Sequence, residues 1–539
     1  MVWILILLVQ CTPKTEKYEL LKDKKAIEIL KLQDKSDTKA LIHYLKSKKT
    51  IHRTLAAYAF ASIQDPIALP YLYLTLLSEK DTSPRRAAAY AIGQIADSSA
   101  IDKLMEALIA ESSEYNQAVI LESIGKCSNQ KAVQFLKEFN PPKPILQFGL
   151  CKGIYHLVMR NQFHSDLFPK LLSFSKSNNQ MVQLAAFQTL QRAKFNPNDA
   201  IESEWKVLKA KANNSDLQFV LSRLLDDPTP SLALSYNDSF LLHYQATNNP
   251  YHKVSLIRLL KSADKNTFQF LESQVKDSFA NCIKTEAASK YFELCPKAKL
   301  YPESYFHFTA LCLKSNNLAL ISLAALAIGD TQSALFSIYK NNWKALEEAK
   351  QTLTLPRDME TLADIEKTLA ALKGIEYKKT NAPYNNAPNW NVIAKMSAVV
   401  KIKLTTTQGE IIMEWLTEKA PCSVTNITQL VEKGFYNQKY FHRVVPGFVI
   451  QGGCPRGDGW GALNWTQRSE FSNELKYTRG TVGLASSGKD TEGVQFFITH
   501  QATPNLDGRY TILGYVVQGM EVVDKIQIGD KILKMERLP

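Results

Sequence analysis

The chain has 539 residues, carries a formal net charge of +13 from 65 basic and 52 acidic residues, and is 45% apolar. That length exceeds what one core organises, so several domains or a repeat array is expected, and the composition excludes wholesale disorder. The basic excess is scattered, with +2 in residues 399–539 and +11 before them; single lysines on solvated helix faces account for it, and no nucleic-acid partner is expected.

The first ten residues, MVWILILLVQ, are uniformly apolar, and the chain turns polar directly after Cys11. Ten residues cannot cross a bilayer as a helix, which needs about 20. Residues 1–11 fit the apolar part of a secretion signal and resemble a bacterial lipobox: Leu8 and Val9 match, and Cys11 would carry the lipid. Gln10 departs from the small residue usual there, and no charged leader precedes the run. The expectation is a bacterial lipoprotein, exported to the cell envelope or periplasm, with a lipid anchor to the membrane at Cys11; a cytoplasmic protein with an apolar N-terminal helix is the alternative. The eight cysteines form no CxxC and no His-paired spacing, so neither metal nor cofactor is expected, and the spacing of Cys282, Cys295 and Cys312 does not argue a disulfide.

Residues 35–375 read as helical throughout. Ala57-Tyr-Ala-Phe-Ala-Ser-Ile-Gln-Asp65 is echoed 32 residues later by Ala89-Tyr-Ala-Ile-Gly-Gln-Ile-Ala-Asp97, and Ile92-Gly93 returns at Ile124-Gly125. Less regular echoes follow at 181–193 and 318–330. A helix pair of this length cannot bury its apolar face alone, so neighbours must stack, and the alanines permit close approach. The region resembles HEAT-type repeats, which implies an α-solenoid with an extended surface for a protein partner whose identity the residues do not reveal.

Residues 376–398 carry two Asn-Ala-Pro units and lose apolar periodicity, which reads as a semi-extended linker. Strand patterns then begin: VVKIKLTT and GEIIMEW flank a turn before Gly409 and predict a hairpin. Ala420–Gly434 has helical spacing, with Pro421 in its first turn and Val424, Ile427, Leu430 and Val431 on one face. Further short strands are expected in FHRVVPGFVIQGG, GTVGLAS, VQFFITH and YTILGYVV, and their number favours a closed antiparallel barrel.

The words FHRVVPGFVIQGG (441–453), GDGWG (457–461), SEF (469–471), GTVGLASSGKDTEGVQFFIT (480–499) and NLDGRYTILGYV (505–516) stand in family order, and residues 399–539 resemble a cyclophilin-type peptidyl-prolyl cis/trans isomerase. The resemblance implies a multidomain chain: an all-α HEAT-like solenoid followed by a mainly-β closed eight-stranded antiparallel barrel with two helices. Matched position by position, Arg443 would be the catalytic donor and Gln451 would orient it. Phe448, Val449, Phe497, Leu506 and Tyr510 would line a proline pocket. Ala485, Ser486 and Gln495 would border the groove that receives the residues before proline. His442 is expected to be structural rather than a general base. Val449 replaces a commoner Met, Tyr510 a frequent His, and Cys454 a frequent Asp. Asn505 stands where many eukaryotic members carry a Trp that contacts cyclosporin. The expected function is isomerisation of X-Pro bonds in proline-containing protein clients; the alternative is a non-catalytic scaffold or holdase that uses the same fold to bind proline-containing segments.

Overall fold

The computed structural model describes residues 19–212, 214–225, 235–297, 302–472 and 474–539, so Cys11 and the apolar leader lie outside the described residues. The 32-residue echo is a structural repeat. Helices Thr50–Ile63 and Thr82–Ile95 end alike, at Gln64 and Ala96 in the left-handed region (φ 59° and 62°). Asp65 and Asp97 then each cap the next turn, accepting from the backbone N–H of Ile67 at 3.0 Å and of Ser99 at 2.8 Å. The second helices, Leu69–Ser78 and Ile101–Ala110, follow at the same offset. Arg53 donates through Nε to Glu79 at 2.6 Å, and Arg85 repeats the bond to Glu111 at 2.9 Å.

Small residues set the stacking distance. An ideal Cβ on Gly93 would lie 2.5 Å from Ser123 Oγ, and one on Gly125 would lie 2.0 Å from the Gly153 carbonyl oxygen. Helices Glu114–Cys127 and Pro144–Met159 therefore touch backbone to backbone. Among the described residues the helical part holds two large apolar cores. One runs from Ile29 to Leu224, the other from Phe240 to Leu372, and Ile528 of the C-terminal domain packs on the second. Among the described residues no helix is long and apolar enough to cross a membrane.

The C-terminal sheet comprises β1 (Val399–Thr406), β2 (Gly409–Leu416), β3 (Phe441–Val445), β4 (Val449–Gly452), β5 (Thr481–Leu484), β6 (Phe496–Thr499), β7 (Ile512–Gln518) and β8 (Ile532–Arg537). The order is β3-β4-β6-β5-β7-β2-β1-β8, antiparallel at every pair. Phe441–Gly453 is a hairpin: Pro446-Gly447 turns the chain, with Gly447 at φ 68°, and Arg443 pairs with Gln451. The closed ring expected from the sequence is corrected. The eight-strand ladder is open between β3 and β8, whose ends meet through the bridge Tyr440↔Lys531 and flanking backbone bonds, such as Ile532 N–H to Lys439 at 2.7 Å. Register shifts interrupt the regular pairing nearby, at Phe441/Arg443 in β3 and at Thr405/Thr406 in β1. The barrel core contains Trp415, Phe441 and Phe496, each fully buried.

Helix Pro421–Glu432 plugs one end; its N-terminus is capped from a distance by Glu470, which accepts from Cys422 N–H at 3.1 Å and Ser423 N–H at 2.8 Å. The second helix is a single turn, Met520–Val523.

The helical part winds around this domain and touches it along most of its length. Ser62 Oγ accepts from Phe471 N–H at 3.0 Å, Gln94 donates to the Gly508 carbonyl at 2.6 Å, and Asp216 accepts from Ala502 N–H at 2.9 Å. Further on, Tyr251 OH donates to the Gly457 carbonyl at 2.6 Å and Arg456 donates to Asn317 at 2.8 Å. The 376–398 segment is irregular apart from one turn at Trp390–Ile393, but it is docked rather than free. Asn385 donates to the Asn464 carbonyl at 2.9 Å, Tyr384 hydrogen-bonds Asp34, and Arg468 lies 5.0 Å over the Tyr384 ring.

Candidate active site

The β3–β4 hairpin places Arg443 at the rim of the site because the register shift between Phe441 and Arg443 breaks the strand's alternation and turns the arginine away from the face that carries Phe441. The apolar neighbours that surround it in sequence, such as Phe441 and Ile450, turn into the barrel core, while the guanidinium stays solvent-accessible. Arg443 donates through Nη1 to Gln451 Oε1 at 3.4 Å, and its guanidinium carbon lies 5.8 Å from the Phe448 ring centre. Gln451 in turn donates to Gln495 Oε1 at 3.1 Å, and Gln495 donates to the carbonyls of Gly459 and Gly461 at 2.7 and 2.8 Å. This relay runs from the arginine to the GDGWG loop. Desolvation lowers the Arg443 pKa, with Tyr510 opposing and nearby Arg258 adding to the effect, yet arginine starts high enough to remain a cation.

Below the guanidinium lies an apolar hollow. Val449, Phe497 and Leu506 are buried, while Phe448, Ala485 and Tyr510 are half-buried and pack against them. Phe497 meets Tyr510 edge-on at 5.8 Å between ring centres. Ser486 and Gln495 stand beside Ala485 on the same wall. All ten positions expected at the site thus border one cleft of about 690 Å³.

Tyr477, which no motif reading singled out, stacks on Phe497 at 5.5 Å and backs it from the buried side. Its hydroxyl donates to the Thr511 carbonyl at 3.2 Å, and its N–H donates to Asp507 at 2.8 Å. Asp507 also accepts from Lys152 of the helical part at 3.1 Å, in a buried pair that fixes the turn bearing Leu506. Cys454 has a definite role: its Sγ accepts from the N–H groups of Gly459 and Gly461, each at 3.3 Å, holding the loop that receives Gln495. His442 is buried, and desolvation lowers its pKa to about 4 despite Asp458 nearby, so it is a neutral structural ring at physiological pH.

The cleft has a second wall. Its far side is helical and includes Tyr251, Arg258, Glu286 and the segment Pro356–Thr361. Tyr251 is wedged between loops of the C-terminal domain: a Cβ on Gly457 would lie 2.7 Å from its hydroxyl, and one on Gly529 would lie 2.6 Å from its Cβ. Both glycines also hold positive φ, 74° and 92°. Among the described residues no group of three or more His, Cys, Asp or Glu side chains is arranged to hold a metal. The arrangement can hold a small apolar ring and present a fixed cationic donor to it.

The family profile described as cyclophilin type peptidyl-prolyl cis-trans isomerase matches residues 400–537, and a PBS lyase HEAT-like repeat profile matches residues 84–109. The chain belongs, through its C-terminal domain, to the cyclophilin-type peptidyl-prolyl cis-trans isomerases. It is 42% identical over 130 residues to a peptidyl-prolyl cis-trans isomerase of Helicobacter pylori, covering 24% of this chain and 80% of that one. It is 43% identical over 123 residues to peptidyl-prolyl cis-trans isomerase B of Bacillus subtilis, covering 23% of this chain and 86% of that one. The match to peptidyl-prolyl cis-trans isomerase 9 of Schizosaccharomyces pombe, 41% identical, spans 26% of this chain and 23% of that relative's length. A solved Cryptosporidium parvum cyclophilin type isomerase aligns at 29% identity with a TM-score of 0.25, over 26% of this chain and 98% of that one.

Proposed function

We propose that the chain isomerises X-Pro bonds in polypeptide clients, with Arg443 as the catalytic donor and the helical repeats as the surface that holds the client beside it. A peptide bond resists rotation by about 18–20 kcal/mol because of C–N double-bond character. X-Pro bonds populate both isomers but exchange them in tens to hundreds of seconds. At the half-rotated point the prolyl nitrogen recovers its lone pair and becomes a hydrogen-bond acceptor. A donor fixed near that nitrogen stabilises this state more than either planar form, and only such differential stabilisation speeds the reaction. The apolar hollow supplies the other half by holding the ring while the preceding residue turns.

The observation that carries the reading is the Arg443 guanidinium, oriented by Gln451, at the rim of a hollow that Phe448, Val449, Phe497, Leu506 and Tyr510 leave open. Exchange NMR on an Ala-Pro peptide tests it. The full-length protein should accelerate exchange, and Arg443→Ala should lower kcat/KM by about 100-fold or more, the scale of losing one fixed donor at developing charge. Equal, background-level rates in both proteins would instead favour the scaffold or holdase reading. Client contact with the repeats is tested by cross-linking a photoreactive proline peptide to the full chain and mapping the adducts. The apolar leader and Cys11 support export with a lipid anchor, which mass spectrometry of the mature N-terminus decides.

A further inference from the structure

The helical wall of the cleft carries charge as well as shape. In a protein of net charge +13, the cleft is lined by three arginines, Arg258, Arg357 and Arg443, against four carboxylates, Glu286, Asp358, Glu360 and Asp458. Most of these charges are already matched. Arg258 donates through Nε to Glu286 at 2.8 Å, and Arg357 pairs with the buried Asp358 through two bonds of 2.6 and 2.8 Å. Arg456 donates through Nη2 to Asp458 at 2.8 Å. Two charges remain without a partner of opposite sign in the cleft. One is Arg443, the proposed catalytic donor. The other is Glu360, which borders the cleft and among the described residues makes no hydrogen bond or ion pair.

Glu360 stands where a carboxylate favours its helix N-terminus, but no specific side-chain bond holds it. It lies in the first turn of helix Met359–Lys373; desolvation and then Asp364 raise its pKa to about 7, opposed by Lys367, which Asp364 engages at 3.8 Å, so the carboxylate is largely ionised only above neutral pH. Its place along the cleft is set by its neighbour. Met359 shares a small hollow with Ser487 and Thr491 of the C-terminal domain, directly beyond Ala485 and Ser486. That is the end of the groove where, by family resemblance, the residues before proline lie. The cleft volume of about 690 Å³ suits a short extended segment rather than a folded surface.

We propose that the helical repeats form the second half of the substrate site, and that Glu360 selects extended segments with a basic residue shortly before the proline. This rests on the isomerase reading above and adds a preference that the C-terminal domain does not encode. A cation at that position meets the unmatched carboxylate across the groove, while an acidic residue meets repulsion in a partly dehydrated space.

The test uses the full-length protein at pH 8, where the Glu360 carboxyl is ionised, and three peptides with Lys, Ala or Glu two residues before proline. Turnover is read by exchange NMR, which needs no coupling protease, and binding by anisotropy of the same peptides carrying a fluorophore. Expected is a kcat/KM order of Lys over Ala over Glu, with a Lys-to-Glu ratio of about three- to tenfold, typical of a partly screened charge pair. That ratio should fall toward one in Glu360→Gln and invert in Glu360→Lys. Inversion is a readout that a loss of packing cannot produce. A flat series in the wild type, or a ratio unmoved by both variants, overturns the proposal while leaving an Arg443-dependent isomerase intact. No turnover of the Ala peptide by the wild type overturns the isomerase reading itself.

Discussion

Arg443 raises a general question about single residues: how a permanent cation sits in an apolar run. The register shift between Phe441 and Arg443 answers it: Phe441 and Val444 pack on the barrel core, and Arg443 does not. The pocket it overlooks depends on a residue with no side chain. A Cβ on Gly483 would lie 2.3 Å from the Tyr477 hydroxyl and 2.8 Å from the Phe497 ring, so Phe497 and the ring stacked behind it fit only beside a glycine. Gly483→Ala should cost about 1–3 kcal/mol by overpacking and raise KM by displacing Phe497, read by thermal unfolding and steady-state kinetics. A variant with unchanged KM would remove Gly483 from the account of the pocket. Asn505, in the turn Pro504–Leu506 beside the hollow, leads to a second expectation: cyclosporin inhibits weakly, and nanomolar inhibition of turnover would refute it.

Between elements, contact distance is set by where alanine and glycine fall. Helices Glu114–Cys127 and Pro144–Met159 approach so closely that Gly125→Ala would bring a methyl within 2.0 Å of the Gly153 carbonyl oxygen. The expected result is a loss of about 1–3 kcal/mol, seen as a lower Tm with the far-UV spectrum unchanged. This interface was legible in the sequence, since the Ile-Gly echo at 92–93 and 124–125 marks it. The strands were legible too, because β1 and β2 alternate around the turn before Gly409. The pocket residues were readable because each lies inside a long local word. The hairpin inside Phe441–Gly453 was hidden by its apolar continuity, which masks the turn at Pro446-Gly447. The opening between β3 and β8 was hidden because register shifts leave no trace in a hydrophobic pattern. The second wall was the least legible part: Tyr251 and Glu360 sit in ordinary helices, and the residues across the cleft from them lie about a hundred or more positions away.

At the scale of the whole molecule, helices and barrel share buried ionisable groups. Burial raises the pKa of Glu492 and Glu470 to about 7; hydrogen bonds from Ser469 and Ser423 oppose this, and Asp34 of the helical part adds to it at Glu470. The folded state therefore favours their neutral forms. Their contribution is full below the ordinary carboxylate range and is lost as pH rises through about 7, a loss of a few kcal/mol. Thermal unfolding between pH 5 and 8 should thus show a Tm that declines more steeply in the wild type than in Glu492→Gln; parallel curves would contradict this. The buried Lys152–Asp507 pair has a consequence for biosynthesis. Lys152 leaves the ribosome hundreds of residues before β8, a delay on the order of tens of seconds at ordinary translation rates. Throughout that interval Lys152 has only Glu122 of the helical array as an acidic neighbour, so its surface stays hydrated until the turn bearing Asp507 arrives.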